Sequence, residues 1–337
     1  DPGSGEYYKI KQWVDNFMKI PFGKYSTLPV SLDNTKEEYQ KFMENAKEQL
    51  DNAVYGLDDA KMQIMQLVGQ WISNPKSMGK ALAIKGPMGT GKTTLVKEGI
   101  SKILNRPFSF VALGGATDSS FLEGHSYTYE GSSWGQIVEI LLKSKCMNPV
   151  IYFDELDKVS DTHKGDEIIH MLTHLTDPSQ NSLFQDNYYP GINIDLSKVL
   201  FIFSFNDESK INRILKDRMY VINTKGFNTK EKIKICREYV IPELYDTYLF
   251  KSDEIIITND ILEYIIDKFT NKEEGVRNLK RCLESIISKV NICILSDSEN
   301  LSFKLKNFKL PFEVKSEHLS ELLNKGKTDK PPEHMYM

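Results

Sequence analysis

What this sequence lacks narrows its class first. No apolar run in the 337 residues approaches the ~18–20 residues a membrane-spanning helix needs, so no membrane span is expected. The opening "DPGSGEYYKI" has no basic stretch followed by an apolar core, so no secretory signal is expected either. There are only four cysteines, Cys146, Cys236, Cys282 and Cys293, and none forms a C-x-x-C pair. They read as reduced thiols in a reducing compartment. Neither charge sign dominates: 43 Lys+Arg against 47 Asp+Glu give a net charge of -4, which argues against a nucleic-acid binder. No internal repeat is visible. What remains is ordinary for a water-exposed globular chain, 40% apolar and 27% charged, and long enough for two domains.

Two kinds of pattern alternate along the chain. Helices are expected at 7–20, with Ile10, Trp13, Val14, Phe17 and Met18 on one packing face, and at 36–51 and 57–73. Short apolar strands then follow at 81–85, 108–113, 149–154, 199–205 and 219–222, separated by helical or loop segments. Strands alternating with helices predict a parallel α/β sheet covered on both faces. Past Gly226 the chain turns helical, at 229–248, 259–270 and 275–294, with one short strand at 254–258. A domain boundary is expected near 226–228, and the polar, proline-bearing end reads as a loose tail.

"GPMGTGKT" (86–93) follows a predicted strand and opens a predicted helix, the context that gives G-x-x-x-x-G-K-[ST] its meaning. Its glycines let backbone N–H groups converge on phosphate oxygens at the positive end of the helix. Gly86, Pro87, Met88, Gly89, Thr90, Gly91, Lys92, Thr93 and Thr94 form the candidate ATP-phosphate site. Lys92 is expected on the β- and γ-phosphates and Thr93 on Mg²⁺. "VIYFDELDK" (150–158) delivers Asp154 and Glu155 to the carboxyl end of a strand, where ligands of open α/β sheets bind. Asp154 is the second candidate Mg²⁺ residue, through water. Glu155 is the candidate base that orients and polarises the attacking water. Asn206 ends another strand, as a turn residue or as a contact for that water or the γ-phosphate. His170 and His174 stand four apart on a predicted helix, but with no third ligand they read as ordinary helix histidines.

The order of these pieces, followed by "LKDRM" (215–219) and a helical domain, resembles the AAA+ ATPases. It is most similar to the ATPase module of Lon, the ATP-dependent protease. "IPFGKYS" (20–26), "VYGLDDAK" (54–61), "LGGATD" (113–118), "LTDPSQN" (175–181), "DLSKVLFI" (195–202), "DRMYVI" (217–222) and "EEGVRNLKR" (273–281) carry the likeness in order over most of residues 7–325. The resemblance implies an AAA+ P-loop fold: a five-stranded parallel sheet flanked by helices, plus a smaller, mainly helical lid. The corresponding divisions are a helical leader at 1–32, a nucleotide-binding domain at 33–227, a lid at 228–325 and a tail at 326–337. Arg218 aligns with the arginine finger that reaches a neighbouring subunit's ATP. Arg277 aligns with the second sensor of the lid. Tyr55 and Gly56 fall beside the adenine. A finger supplied in trans requires a ring, and the family forms hexamers.

The stretch "GHSYTYEGSSWG" (124–135) occupies the position of the family's first pore loop, which grips a polypeptide in the ring channel. Tyr129 matches the gripping aromatic, Glu130 stands where an aliphatic residue is usual, and Trp134 replaces a proline as a possible second aromatic contact. An aromatic face packs against any polypeptide, and glycines permit movement. Residues 160–167 match the second pore loop less specifically. Lon's serine–lysine peptidase domain has no counterpart in these 337 residues, so no peptidase activity is expected. The resulting expectation is Mg²⁺-dependent ATP hydrolysis that unfolds and threads unfolded or tagged proteins. A cytoplasmic setting is expected, with the mitochondrial matrix as the alternative. The competing readings are a nucleotide-binding scaffold with little turnover and, less compatible with the charge, a nucleic-acid-directed motor.

Overall fold

The computed structural model describes residues 5–30, 34–74, 81–116, 118–129, 131–251, 253–295, 305 and 308–323. Glu130 and the expected tail at 326–337 lie outside the described residues. The chain divides into two compact units, residues 1–86 with 91–225, and residues 87–90 with 226–337. No helix among the described residues is long and apolar enough to cross a membrane.

The first unit is organised by a sheet of five parallel strands: β1 (Ala81–Lys85), β2 (Phe108–Ala112), β3 (Val150–Asp154), β4 (Leu200–Phe205) and β5 (Met219–Asn223), in the order β2-β3-β4-β1-β5. The three central strands are almost continuously apolar because both of their faces are covered. Successive residues point to opposite faces. Ala83, Ile151, Phe153, Phe201 and Phe203 join one core with helices Gln136–Ser144 and His163–Thr176. Leu82, Ile84, Tyr152 and Ile202 join another with helices Lys36–Ala53 and Asp58–Ser73 and the helical run 92–103. Phe153 stacks on Phe203 with ring centroids 5.1 Å apart, which fills the middle of the first core.

The register sets where chemistry can gather. Lys85 pairs with Phe205, Phe153 with Phe203, and Ala112 with Asp154, so the carboxyl ends of these strands lie side by side. Gly86, Glu155 and Asn206 are the residues that step off this edge. At the opposite edge Ala81 pairs with Met219, so Arg218 lies at the amino end of the sheet.

The first helix, Gly5–Phe17, differs from the single packing face expected of it. Trp13 and Phe17 pack on the core, and the Trp13 indole N–H donates to Tyr188 O at 2.9 Å. Ile10, Val14 and Met18 are exposed, Met18 by 74%. In the 184–196 segment Tyr189 meets both of these aromatic rings, with centroids 5.2 and 5.9 Å away.

The second unit is helical: 229–248, Asn259–Phe269, Arg277–Leu295 and Ser316–Leu323. Leu262, Ile265, Leu279, Leu283, Ile286, Ile287 and Leu319 form its buried interior. The strand expected at 254–258 is only Ile255–Ile256, because its parallel partner, Phe312–Glu313, is two residues long. The helix expected from 275 begins at Arg277. The Glu273 carboxylate accepts the Asn278 and Leu279 N–H groups at 2.9 Å each and so satisfies its first turn. All four cysteines are free, and burial pushes the Cys236 thiol up to about 12.

Candidate functional site

The phosphate loop begins one residue past β1. Gly86 has no room for a side chain, since a Cβ there would lie 1.9 Å from Thr224 Oγ1. Gly89 and Gly91 have φ of +76° and +87°, a region that glycine enters without steric cost. The helical run 92–103 starts directly after Gly91, so its first amides face the loop. Lys92 is buried. Its ammonium donates to Gly86 O at 2.5 Å and to Asn206 Oδ1 at 2.7 Å. Burial lowers the Lys92 pKa, with Asp154 and Asp157 acting the other way. A buried ammonium at the start of a helical run is suited to receive an anion. Residues 87–90 group with the second unit, where the Val276 N–H donates to Gly89 O at 3.1 Å, one residue before Arg277.

The acidic side of the site is held by two residues that belong to no sequence motif, Tyr152 and Ser204. Ser204 Oγ donates to Asp154 Oδ1. The Tyr152 hydroxyl lies 3.4 Å from Thr93 Oγ1 and 3.5 Å from Asp154 Oδ1, and so links the two candidate Mg²⁺ residues. Burial pushes the Tyr152 phenol up to about 12, which keeps it a donor. Tyr152 precedes Asp154 by two residues on one face of β3, and Ser204 interrupts an apolar strand; those were the available signals. Thr93 and Asp154 supply hard oxygens, and Mg²⁺ usually takes one or two protein oxygens, completing its shell with phosphates and water. The pair therefore fits that ion.

Glu155 follows Asp154 with φ of +59°, a left-handed conformation that costs a non-glycine residue about 1–2 kcal/mol. Its carboxylate lies over Gly114, where a Cβ would come 2.7 Å from Oε2. Asn206 is fixed through its neighbour as well as through Lys92: the Asp207 N–H donates to the buried Asp157 carboxylate at 3.2 Å. Lys92, Thr93, Asp154, Glu155 and Asn206 thus meet at one edge of the sheet. Tyr55 and Gly56 follow Val54, whose Cγ1 would stand 3.0 Å from a Cβ at Gly91, so this turn adjoins the phosphate loop.

Arg218 does not join this cluster. It stands at the amino edge, a strand length of about 16 Å away for five residues. Its guanidinium binds Asp177 Oδ2 at 2.6 Å and Thr173 O at 3.1 Å. Hydrogen bonds from Ser179, then Arg218, hold the Asp177 carboxyl well below the usual carboxylate range.

The aromatic loop runs from Gly124 to Gly135. Tyr129 is 70% exposed and Tyr127 47%. Both line a cavity of about 880 Å³ with Lys9, Trp13 and Tyr188. Trp134 departs from the expectation of a second substrate contact. It is half-buried at the loop base, its indole N–H donates to Glu139 Oε2 at 2.7 Å, and its ring meets Tyr188 edge-on at 5.7 Å. Residues 160–167 contain a capped helix start, with Thr162 Oγ1 accepting the Gly165 N–H at 3.3 Å. His174 Nδ1 pairs with Gln180 Oε1.

The chain is similar to known proteins along most of its length. Residues 82–226 match the family described as ATPase family associated with various cellular activities (AAA), and residues 247–303 match the Lon protease AAA+ ATPase lid domain. A Lon protease homolog of Acanthamoeba polyphaga mimivirus is 42% identical over 291 residues, covering 85% of this chain and 28% of the relative. The Lon protease of Helicobacter pylori (strain ATCC 700392 / 26695) is 33% identical over 303 residues, covering 90% of this chain and 36% of the relative. The mitochondrial Lon protease homolog of Schizosaccharomyces pombe is 35% identical over 300 residues, covering 89% and 27%. The chain therefore spans about a third or less of the length of these relatives, 27% to 36%.

Proposed function

The chain belongs to the Lon-like AAA+ ATPases, and on that premise we propose that it is a motor module that hydrolyses ATP to unfold and thread polypeptide through a ring. The observation that carries this reading is the convergence of Lys92, Asn206, Asp154 and Glu155 at the carboxyl edge of β1, β3 and β4. Residues 86–94 wrap the phosphates, Lys92 meets the β- and γ-oxygens, and Tyr55 with Gly56 borders the adenine. Thr93, and Asp154 through water, would hold Mg²⁺, which would neutralise charge on the transferred phosphoryl group. Glu155 takes the water proton and Asn206 orients the same water. Arg277 serves as the second sensor of the lid.

Arg218 serves the ATP of a neighbouring subunit. Its position at the sheet edge opposite its own phosphate loop supports a role in trans; that role requires a ring, and the resemblance to the Lon family implies a homo-hexamer. Tyr129 grips the polypeptide, which its exposure supports. This chain itself cleaves no peptide bond; its chemistry is confined to ATP. The division into a nucleotide-binding domain at 33–227 and a lid at 228–325 is part of the same proposal.

The test is Glu155→Gln. It should bind ATP as tightly as the parent while hydrolysis falls by about 10²–10⁴-fold. Retained turnover would remove Glu155 from the mechanism. A second reading, nucleotide-gated assembly with little turnover, draws on the Asp177–Arg218 ion pair, which occupies the finger within its own chain. Under that reading the parent protein hydrolyses almost nothing at any concentration, and Glu155→Gln changes nothing.

A further inference from the structure

Two residues far in sequence from the aromatic loop close its neck. Asp186 is fully buried, at 0% exposure. One of its carboxylate oxygens accepts the Gly135 N–H at 2.8 Å, and the other accepts the Tyr188 N–H at 2.9 Å. The exposed neighbour Asn187 holds the other end of the loop. Its backbone N–H donates to Glu123 O at 2.7 Å, and its side-chain amide donates to Gly124 O at 3.1 Å. Residues 186–187 therefore bind where the loop leaves the fold and where it returns.

The neck has no slack. A Cβ at Gly135 would lie 2.1 Å from Leu122 O and 2.5 Å from Gly124 N, and one at Gly124 would lie 2.7 Å from Asp186 Oδ1. The two glycines lie backbone against backbone, and the carboxylate fills the space that remains. Burial pushes the Asp186 carboxyl up to about 7, with Glu123 adding in the same direction and the two N–H bonds opposing. An apolar side chain would fill the space without the cost of burying a charge. What the carboxylate adds is two directed acceptors on backbone amides. Beyond the neck the loop is closed by a backbone bond from the His125 N–H to Ser133 O at 3.2 Å, and Tyr127 and Tyr129 stand exposed past it.

We infer that Asp186 and Asn187 are positioning residues for polypeptide gripping: by fixing the neck of the 124–135 loop they hold Tyr127 and Tyr129 in the gripping arrangement before substrate arrives. The inference rests on the reading of this loop as the polypeptide grip. A loop that is competent only part of the time binds more weakly by that fraction, so a neck closed one time in ten gives a tenfold weaker apparent affinity.

The experiment uses the assembled full chain and titrates carboxymethylated α-lactalbumin, a permanently unfolded polypeptide, against ATP turnover. Asp186→Asn keeps the shape but turns one acceptor into a donor facing an N–H; Asn187→Ala removes the other hold at an exposed position. Each should raise the polypeptide concentration for half-maximal stimulation about tenfold while turnover at saturating polypeptide stays within about twofold. Amide hydrogen exchange should accelerate within 123–135 and at Asn187 and Tyr188, the amides this neck holds, and not in the rest of the first unit. Tyr129→Ala separates this inference from its premise. If Tyr129→Ala lowers stimulation but both neck variants leave half-saturation unchanged, the positioning role is overturned and the grip stands, even if exchange quickens. If Tyr129→Ala has no effect, the grip reading falls and the inference falls with it. Should Asp186→Asn fail to fold, Asn187→Ala decides alone.

Discussion

Gly114→Ala isolates the carboxylate of Glu155 without touching it. A Cβ at Gly114 would stand 2.7 Å from Glu155 Oε2, where ordinary contact begins at 3.4 Å, so the carboxylate must retreat by about 0.7 Å. The obstructing atom is the end of a flexible side chain, and Gly114 has no left-handed φ, so the fold should tolerate the change with little loss of stability. Catalysis should not tolerate it. A misplacement of about 1 Å costs on the order of 10²-fold in rate, so 0.7 Å is expected to lower ATP turnover roughly 10- to 100-fold. That loss corresponds to about 1.4–2.7 kcal/mol on the barrier. Nucleotide affinity, measured by calorimetry, should be unchanged because the phosphate loop is untouched. Gly115→Ala is the control, since nothing lies within 4 Å of a Cβ there. In a Glu155→Gln background Gly114→Ala should add nothing, as for two changes acting through one group. Turnover within twofold of the parent, or affinity falling in step with turnover, would show that the position of the Glu155 carboxylate does not set the rate.

Arg218→Ala should leave nucleotide affinity of the isolated chain intact and lower the turnover of assembled protein by about 10³–10⁵-fold; mixing it with Glu155→Gln chains should restore some activity if the finger acts in trans. Phe203→Ala removes a ring stacked at the centre of the first core and should cost about 3–5 kcal/mol, seen as an earlier urea midpoint for the first unit. Asn228 and Glu231 form a reciprocal cap at the start of the 229–248 helical run, so Asn228→Ala should destabilise the second unit by about 1 kcal/mol while Asn228→Asp stays near neutral.

The five strands and the phosphate loop were legible because each is local: an apolar run, a glycine spacing, an acidic pair at a strand end. The register then made the site, since residues stepping off β1, β3 and β4 had to become neighbours. Tyr152 and Ser204 were not legible, because their link to Thr93 and Asp154 depends on which strands adjoin and on which face. Asp186 was hidden for the same reason; a lone aspartate among asparagine and tyrosines does not announce that it binds an amide 51 positions earlier. Periodicity also assigned too much packing to the first helix. Ile10 and Val14 share the spacing of Trp13 and Phe17, but the surface available to that helix is the Tyr188–Tyr189 edge, which two aromatic rings cover. The short strand Phe312–Glu313 gives no periodic signal at two residues.

Under the proposed function, Arg218 completes a neighbouring subunit's ATP site in a polypeptide-threading ring. Steady-state ATP hydrolysis across a wide range of chain concentration, with and without an unfolded polypeptide, tests it most directly. Specific activity should rise with concentration and rise further with polypeptide. Tight ATP binding with flat, negligible turnover at every concentration would contradict it.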